Sequence, residues 1–258
     1  MNQNRHPPLA GRTALITGGS RGIGAACAAA LARLGADLVL VGRTRATLEQ
    51  QSAALRPFGV NVAVEPADAT DSEQFRSALA RHTAVDILIN NVGGTTSAPL
   101  ERVTPEIWQQ TLALNLTATF VATQILAPPM GARGWGRIVN IASTAGLKGY
   151  AYVIPYCAAK HGVVGLTRAL AVELAGSGVT VNAVCPGFTD TEMTRESVAR
   201  IRSATGLDET QAYAELTAMN PQGRLVQPEE VAAAVAWFCQ PEAASTTGQA
   251  LAVAGGEV

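Results

Sequence analysis

TALITGGSRGIGAACAAALARLGADLVLVGR, residues 13–43, decides the fold. A β-rich run over 13–17 leads into a turn with glycines at 18, 22 and 24; an alanine-rich helical stretch over 22–34 follows, then a second β-rich run over 37–41. A strand, a crossover helix and a second strand make a βαβ unit, the connection that parallel strands require. The glycines let the backbone turn sharply and approach a pyrophosphate at the helix start, where free N–H groups and the helix dipole favour an anion. The spacing is GxxxGxG, not the general GxGxxG fingerprint, so the loop alone is a moderate signal.

Outward from this unit the alternation continues: a helix from about 46, a strand at 61–64, a helix at 72–81, a strand at 86–90, a long helix at 105–126 and a strand at 136–142. A helix at 155–175, a strand at 179–184, a helix at 228–239 and a strand at 249–253 complete it. The strands are continuous Val/Ile/Leu runs, as in a sheet buried on both faces. The expected fold is therefore α/β: a doubly wound, mainly parallel sheet of about seven strands, Rossmann-type, with helices on both faces and a single domain over 11–258. Residues 1–10, polar and proline-containing, are expected to be a flexible tail. The segment 188–226 falls outside the rhythm and reads as a substrate lid.

With 258 residues, 48% of them hydrophobic, and a net charge of −1, the chain suits one sizeable core and carries no broad electrostatic footprint for nucleic acid or an anionic membrane. Cysteines 27, 157, 185 and 239 lie in apolar stretches without CxxC pairing, which points to buried reduced thiols in a cytoplasmic protein, with no disulfide and no metal site. The N-terminus lacks a secretory h-region, and no stretch approaches the roughly 20 apolar residues that span a bilayer.

At the end of the second strand of a dinucleotide fold, an acid bonds the ribose 2′-OH, whereas a basic residue accommodates a 2′-phosphate. Here LVLVGRT (38–44) offers no acid at the tip and Arg43 just beyond it, and Arg21 in the glycine loop is a second cation within possible reach. This favours NADP(H) and leaves NAD(H) open. Tyr156 and Lys160, in PYCAAK (155–160), are four apart on one face at a helix start. An ammonium one turn away and the positive helix end would lower the tyrosine's pKa and tune it for acid–base work.

Seven motifs occur in order: TGGSRGIG (17–24), Asp68 in PADAT, NNVGG (90–94), Asn115 in LALNLT, Ser143 in NIAST, YCAAK (156–160) and PGFTDT (186–191). On these the chain resembles the short-chain dehydrogenase/reductase family over residues 11–258. The resemblance implies that Tyr156 exchanges a proton with the substrate oxygen and that Lys160 bonds the nicotinamide ribose. It implies further that Ser143 holds the carbonyl oxygen and Asn115 positions a water in a proton relay. The cofactor would be bound by Gly18, Ser20, Arg21, Gly22, Ile23, Gly24 and Arg43 of the first unit; by Asp68 and Ala69 at the adenine; by Asn90, Val92 and Gly93 near the adenosine ribose; and by Pro186, Gly187, Thr189 and Thr191, with Thr189 at the carboxamide. Val92 stands where the family usually has a smaller residue. A homotetramer through the helices near 105–127 and 155–175 is also implied.

The expected pocket wall, with Gly94, Ala145, Val153, Phe188 and Met193, is small or apolar, and Lys148 is the basic residue nearby. A free carboxylate substrate would call for a well-placed Arg or Lys. A neutral ketone or acyl thioester fits better, and the stretches 156–175 and 181–193 are similar to 3-oxoacyl-thioester and polyketide ketoreductases. The reaction expected is carbonyl/alcohol interconversion by hydride transfer, on a 3-oxoacyl thioester or, in reverse, a 3-hydroxyacyl-CoA. Another alcohol or ketone dehydrogenase, aromatic, steroid or sugar, is the alternative; a non-catalytic dinucleotide-binding regulator is disfavoured by the intact set of four reactive residues.

Overall fold

Strands with apolar residues at successive positions must bury both faces, and the computed structural model, which describes residues 7–258, does so with one seven-stranded sheet. The strands are β1 (Thr13–Thr17), β2 (Asp37–Gly42), β3 (Val62–Pro66), β4 (Ile87–Asn90), β5 (Gly136–Ile141), β6 (Val179–Pro186) and β7 (Ala250–Val253). All neighbours pair in parallel, in the order β3-β2-β1-β4-β5-β6-β7. The order reverses between β1 and β4, where Thr17 pairs with Asn90, so connections leave in opposite directions and open a crevice at the carboxyl edge.

Alternate residues feed two cores. Ala14, Ile16, Ile87, Ile89 and Val139 face α1 (Gly22–Arg33) and the C-terminal helix Pro228–Cys239. Leu15, Leu88, Ile138 and Val181 face the other layer, built from α3 (Ser72–Ala80), α5 (Ala118–Ala132) and α6 (Ile154–Leu174). Each such side chain contributes roughly 1.5–3 kcal/mol when fully buried. The remaining helices are α2 (Arg45–Leu55), α4 (Pro105–Leu112), α7 (Glu192–Thr205), α8 (Glu209–Thr217) and α9, the Pro228–Cys239 helix.

Three expectations need correction. The tail reading of 1–10 lies partly outside the described residues, but within them Leu9 is fully buried in the α1 core and its N–H donates to the Leu34 carbonyl at 2.9 Å. An apolar side chain with a pocket to fill outweighs the polar composition around it. The long helix does not stop near 126: α5 runs through Pro128 and Pro129 to Ala132, because Leu126, Ala127 and Met130 are buried against the sheet and offset the lost backbone bonds. Continuing through the prolines also makes the composite helix Pro105–Ala132 long and apolar enough, by length and composition, to cross a membrane; here it serves as a core helix. Finally, Cys27, Cys185 and Cys239 are buried, whereas Cys157 is half-buried.

Between α4 and α5 the chain forms a π-helical turn, Ala113–Thr117, which places Asn115. Such insertions occur often at functional sites. Segment 188–226 contributes α7 and α8, which bury Val198, Ala212 and Leu216 together in a small core of their own.

Candidate active site at the carboxyl edge of the sheet

The glycine turn is built for close approach. A Cβ on Gly24 would stand 2.1 Å from the Gly18 carbonyl oxygen, so the first turn of α1 can lie against the loop only with glycine there. No side chain caps α1 and no acid occupies its first turn, whereas Asp71, Thr104 and Asp208 cap α3, α4 and α8. An uncapped helix start behind a glycine loop leaves N–H groups for an anion, so these residues fit a dinucleotide pyrophosphate. Ile23 does not face that anion alone; it packs on the α1 core.

The tip of β2 carries Gly42 and the exposed Arg43, and the Ser20 hydroxyl lies about 4.0 Å from where a Cβ on Gly42 would stand. Ala67 N–H bonds the Gly42 carbonyl at 2.9 Å, which brings the end of β3 alongside. Asp68 there accepts from the Thr70 N–H and hydroxyl at 2.9 and 2.7 Å, and these bonds, with a smaller contribution from Arg43, hold its carboxyl below the usual range. Ala69 packs on the second core. Arg21 is not free beside Arg43: its guanidinium pairs with Glu192 at the start of α7, an exposed contact, while Gly22 faces Thr191. A cleft of about 540 Å³ between α1 and the start of α7 and α9 contains none of the reactive residues. It marks where segment 188–226 meets the glycine turn, not the site of chemistry.

The Asn90 side chain is buried and donates to the Thr123 hydroxyl at 3.1 Å and to Asn140 Oδ1 at 2.9 Å, so it ties β4 to α5 and β5, and its backbone is what remains to face a ribose. The neighbour that sequence reading passed over is Asn91. Its Nδ2 donates to the Thr17 and Gly18 carbonyls at 3.1 and 3.0 Å, and its N–H to the Thr17 hydroxyl at 3.0 Å, pinning the glycine turn to the β4 loop. The doubled Asn of NNVGG was the available signal. Val92 packs on the second core, and its N–H also reaches the Thr17 hydroxyl, at 3.2 Å. Gly93 abuts Asn115: a Cβ there would come within 2.8 Å of Asn115 Oδ1 and 3.6 Å of Lys160 Nζ.

Asn115 is fully buried, and its amide does two things at once: Oδ1 accepts from Gly94 N–H at 3.1 Å, while Nδ2 donates to the Gly94 and Thr111 carbonyls at 2.8 and 2.9 Å. It thereby fixes the loop that carries Gly93 and Gly94. Lys160 comes from the second turn of α6; its buried ammonium donates to the Ile141 carbonyl at 2.8 Å and lies 5.6 Å from the centroid of the Tyr156 ring. Ser143 follows β5, and its hydroxyl accepts from Ala145 N–H at 3.1 Å. Asn115, Ser143, Tyr156 and Lys160 thus reach one place from three separate elements.

The electrostatics differ from the expectation in one respect. Burial pushes the Tyr156 phenol up to about 12, and the Ser143 hydroxyl beside it offsets this only in part. Burial pushes the Lys160 ammonium down to about 8. Desolvation is the leading cause of both shifts, and it favours the protonated phenol over the phenolate.

On the substrate side, Ala145 is buried under the Ser143 turn, Val153 precedes α6, and Met193 is exposed on α7. Phe188 packs on the α7–α8 core and meets Tyr150 edge-on at 6.3 Å. Tyr152 adopts φ +66°, and its carbonyl accepts from Ala98 N–H at 2.8 Å. Pro186 ends β6 beside Val253; Thr189 is buried with its hydroxyl on the Gly187 carbonyl at 3.0 Å, and Thr191 precedes α7. His161 is exposed, its Nδ1 2.9 Å from the Cys157 carbonyl. Among the described residues no group of three or more His, Cys, Asp or Glu is placed to hold a metal ion.

A parallel sheet with a glycine turn at its switch point, and a Ser/Tyr/Lys/Asn cluster beside it, defines an oxidoreductase that uses a nicotinamide dinucleotide and acts on CH–OH groups. The chain belongs to the short-chain dehydrogenase family, whose model, described as short chain dehydrogenase, matches residues 12–202. It is 39% identical over 252 residues to the 3-oxoacyl-[acyl-carrier-protein] reductase FabG of Vibrio cholerae, covering 96% of this chain and 98% of that one. It is also 39% identical over 241 residues to the D-beta-hydroxybutyrate dehydrogenase of Cupriavidus necator, covering 92% and 93%. Among solved structures, an actinorhodin polyketide ketoreductase variant with NADPH superposes with a TM-score of 0.91 at 38% identity, covering 95% of this chain and 97% of that one.

Proposed function

We propose that the protein reduces neutral 3-oxoacyl thioesters with NADPH, or oxidises the corresponding 3-hydroxyacyl thioesters in reverse. The observation that carries this reading is the convergence of the Ser143 and Tyr156 hydroxyls over Lys160 beside a small and apolar wall. When bound, the nicotinamide supplies or accepts the hydride. Tyr156, held protonated by burial, gives its proton to the substrate oxygen, and the Ser143 hydroxyl donates a hydrogen bond to the same oxygen. Lys160 would bond the nicotinamide ribose, and Asn115, which fixes Gly94 and lies on the π-helical turn, would hold a water between Lys160 and solvent.

The remaining cofactor contacts follow from the β2 tip. Gly42 offers no carboxylate to a ribose 2′-OH, while exposed Arg43 next to it and the Ser20 hydroxyl nearby would take a 2′-phosphate, which supports NADP(H). Arg21 can join them on exchanging Glu192. Segment 188–226 acts as the lid, closing with Phe188 and Met193 over the substrate. Exposed Phe120 on α5 and Val172 on α6 support assembly through these helices. The thioester preference draws on the relatives' names. The test is NADPH and NADH oxidation, followed at 340 nm, with S-acetoacetyl-N-acetylcysteamine beside aromatic, steroid and sugar ketones. Preference for the thioester with NADPH supports the reading, and turnover confined to another class overturns it.

A further inference from the structure

The segment that follows β7 reaches the turn after Ser143. A carboxylate outside the sheet is ordinarily solvated, yet the Glu257 side chain is only 1% exposed. Lys148 Nζ lies 3.2 Å from Oε1 and donates to the Glu257 carbonyl at 3.3 Å. The Tyr150 hydroxyl also donates to Oε1 and stands 2.6 Å from the Thr144 hydroxyl. Oε2 is buried without a hydrogen-bond partner among the described residues. A Cβ on Gly187 would lie 2.9 Å from it, so the glycine of PGFTDT makes room for this carboxylate.

The cluster adjoins the site at both ends. Thr144 follows Ser143, and the Tyr150 ring, which has Lys148 at 5.1 Å from its centroid, meets Phe188 edge-on. A half-exposed ammonium in such a wall would attract a substrate carboxylate. Here that charge is already taken by a residue of the same chain.

We propose that Glu257 is a specificity-determining residue of this site: its carboxylate cancels the Lys148 ammonium and fixes Tyr150, so that the wall is uncharged and free 3-oxo acids are rejected in favour of their neutral thioesters. This rests on the carbonyl-reductase reading above. Glu257→Gln keeps the volume and removes the charge, leaving Lys148 available to a substrate carboxylate. Lys148→Met does the reverse.

The experiment measures kcat/KM for acetoacetate and for the neutral S-acetoacetyl-N-acetylcysteamine in the wild type, Glu257→Gln, Lys148→Met and the double variant. NADPH binding by fluorescence reports folding. Glu257→Gln should raise the acid-to-thioester ratio about tenfold, the scale of one charge-assisted hydrogen bond, and the double variant should return it to the wild-type value. Lys148→Met should lower the ratio, and it decides the matter if Glu257→Gln does not bind NADPH. Wild-type turnover with a ratio unmoved in the folded variants, or a shift that persists in the double variant, overturns the role of Glu257 alone. Absence of wild-type turnover with either substrate overturns the underlying reading, and this proposal with it.

Discussion

Replacing Lys160 by Met should stabilise the protein below pH 8 while removing turnover. Burial lowers the Lys160 pKa from 10.5 to about 8, with no carboxylate in contact to offset it. At about 1.4 kcal/mol per pKa unit, holding the ammonium charged in the folded state costs about 3 kcal/mol. Met is similar in length and carries no charge, but it leaves the Ile141 carbonyl without its 2.8 Å donor, a loss of about 1 kcal/mol. The net expectation is a gain of about 2 kcal/mol. The pH dependence fixes the sign: between pH 8 and 10.5 the unfolded chain keeps this proton and the folded chain does not, so wild-type stability rises with pH there. Urea unfolding of both proteins at pH 6.5, 8 and 10 would show the variant's advantage full at pH 6.5, narrowing above pH 8, and all but gone near pH 10. A variant less stable at pH 6.5, or an advantage that does not change with pH, would refute the reasoning.

Arg43→Ala should raise the KM for NADPH by about 10- to 100-fold, the scale of a lost charged contact, and leave that for NADH within about twofold; equal effects on both would reject a 2′-phosphate contact. Tyr152 holds φ +66°, a conformation that glycine adopts without strain, so Tyr152→Gly should raise unfolding stability by about 1 kcal/mol in a urea titration, and a loss of similar size would show that the ring contributes packing despite its exposure.

The parallel sheet was legible because nothing local opposed the pattern: β1 and β2 carry the apolar runs 14–16 and 38–41, and α1, α3, α4 and α9 each begin on a glycine, serine or proline. The helix 105–132 was misjudged at its end because proline's local cost is visible in the sequence, whereas the burial of Leu126 and Met130 that offsets it is not. At the site, the reactive cluster followed from ordered motifs. Side-chain direction did not: Asn90 and Asn91 are neighbours in one motif, yet one bonds Thr123 and Asn140 in the core and the other holds the glycine turn. Likewise the spacing of Tyr156 and Lys160 showed a shared helix face but not how much desolvation each would bear. Glu257 was invisible, because its partners Lys148 and Tyr150 are more than a hundred positions away, at separations of 109 and 107.

The account turns on Tyr156 as the proton donor, and the most direct test is a single comparison of Tyr156→Phe with the wild type. NADPH binding should stay within about threefold, since the ring is kept, while kcat for S-acetoacetyl-N-acetylcysteamine should fall by about 10²- to 10⁴-fold, the usual contribution of a positioned acid. A phenylalanine variant that turns over near the wild-type rate would contradict it.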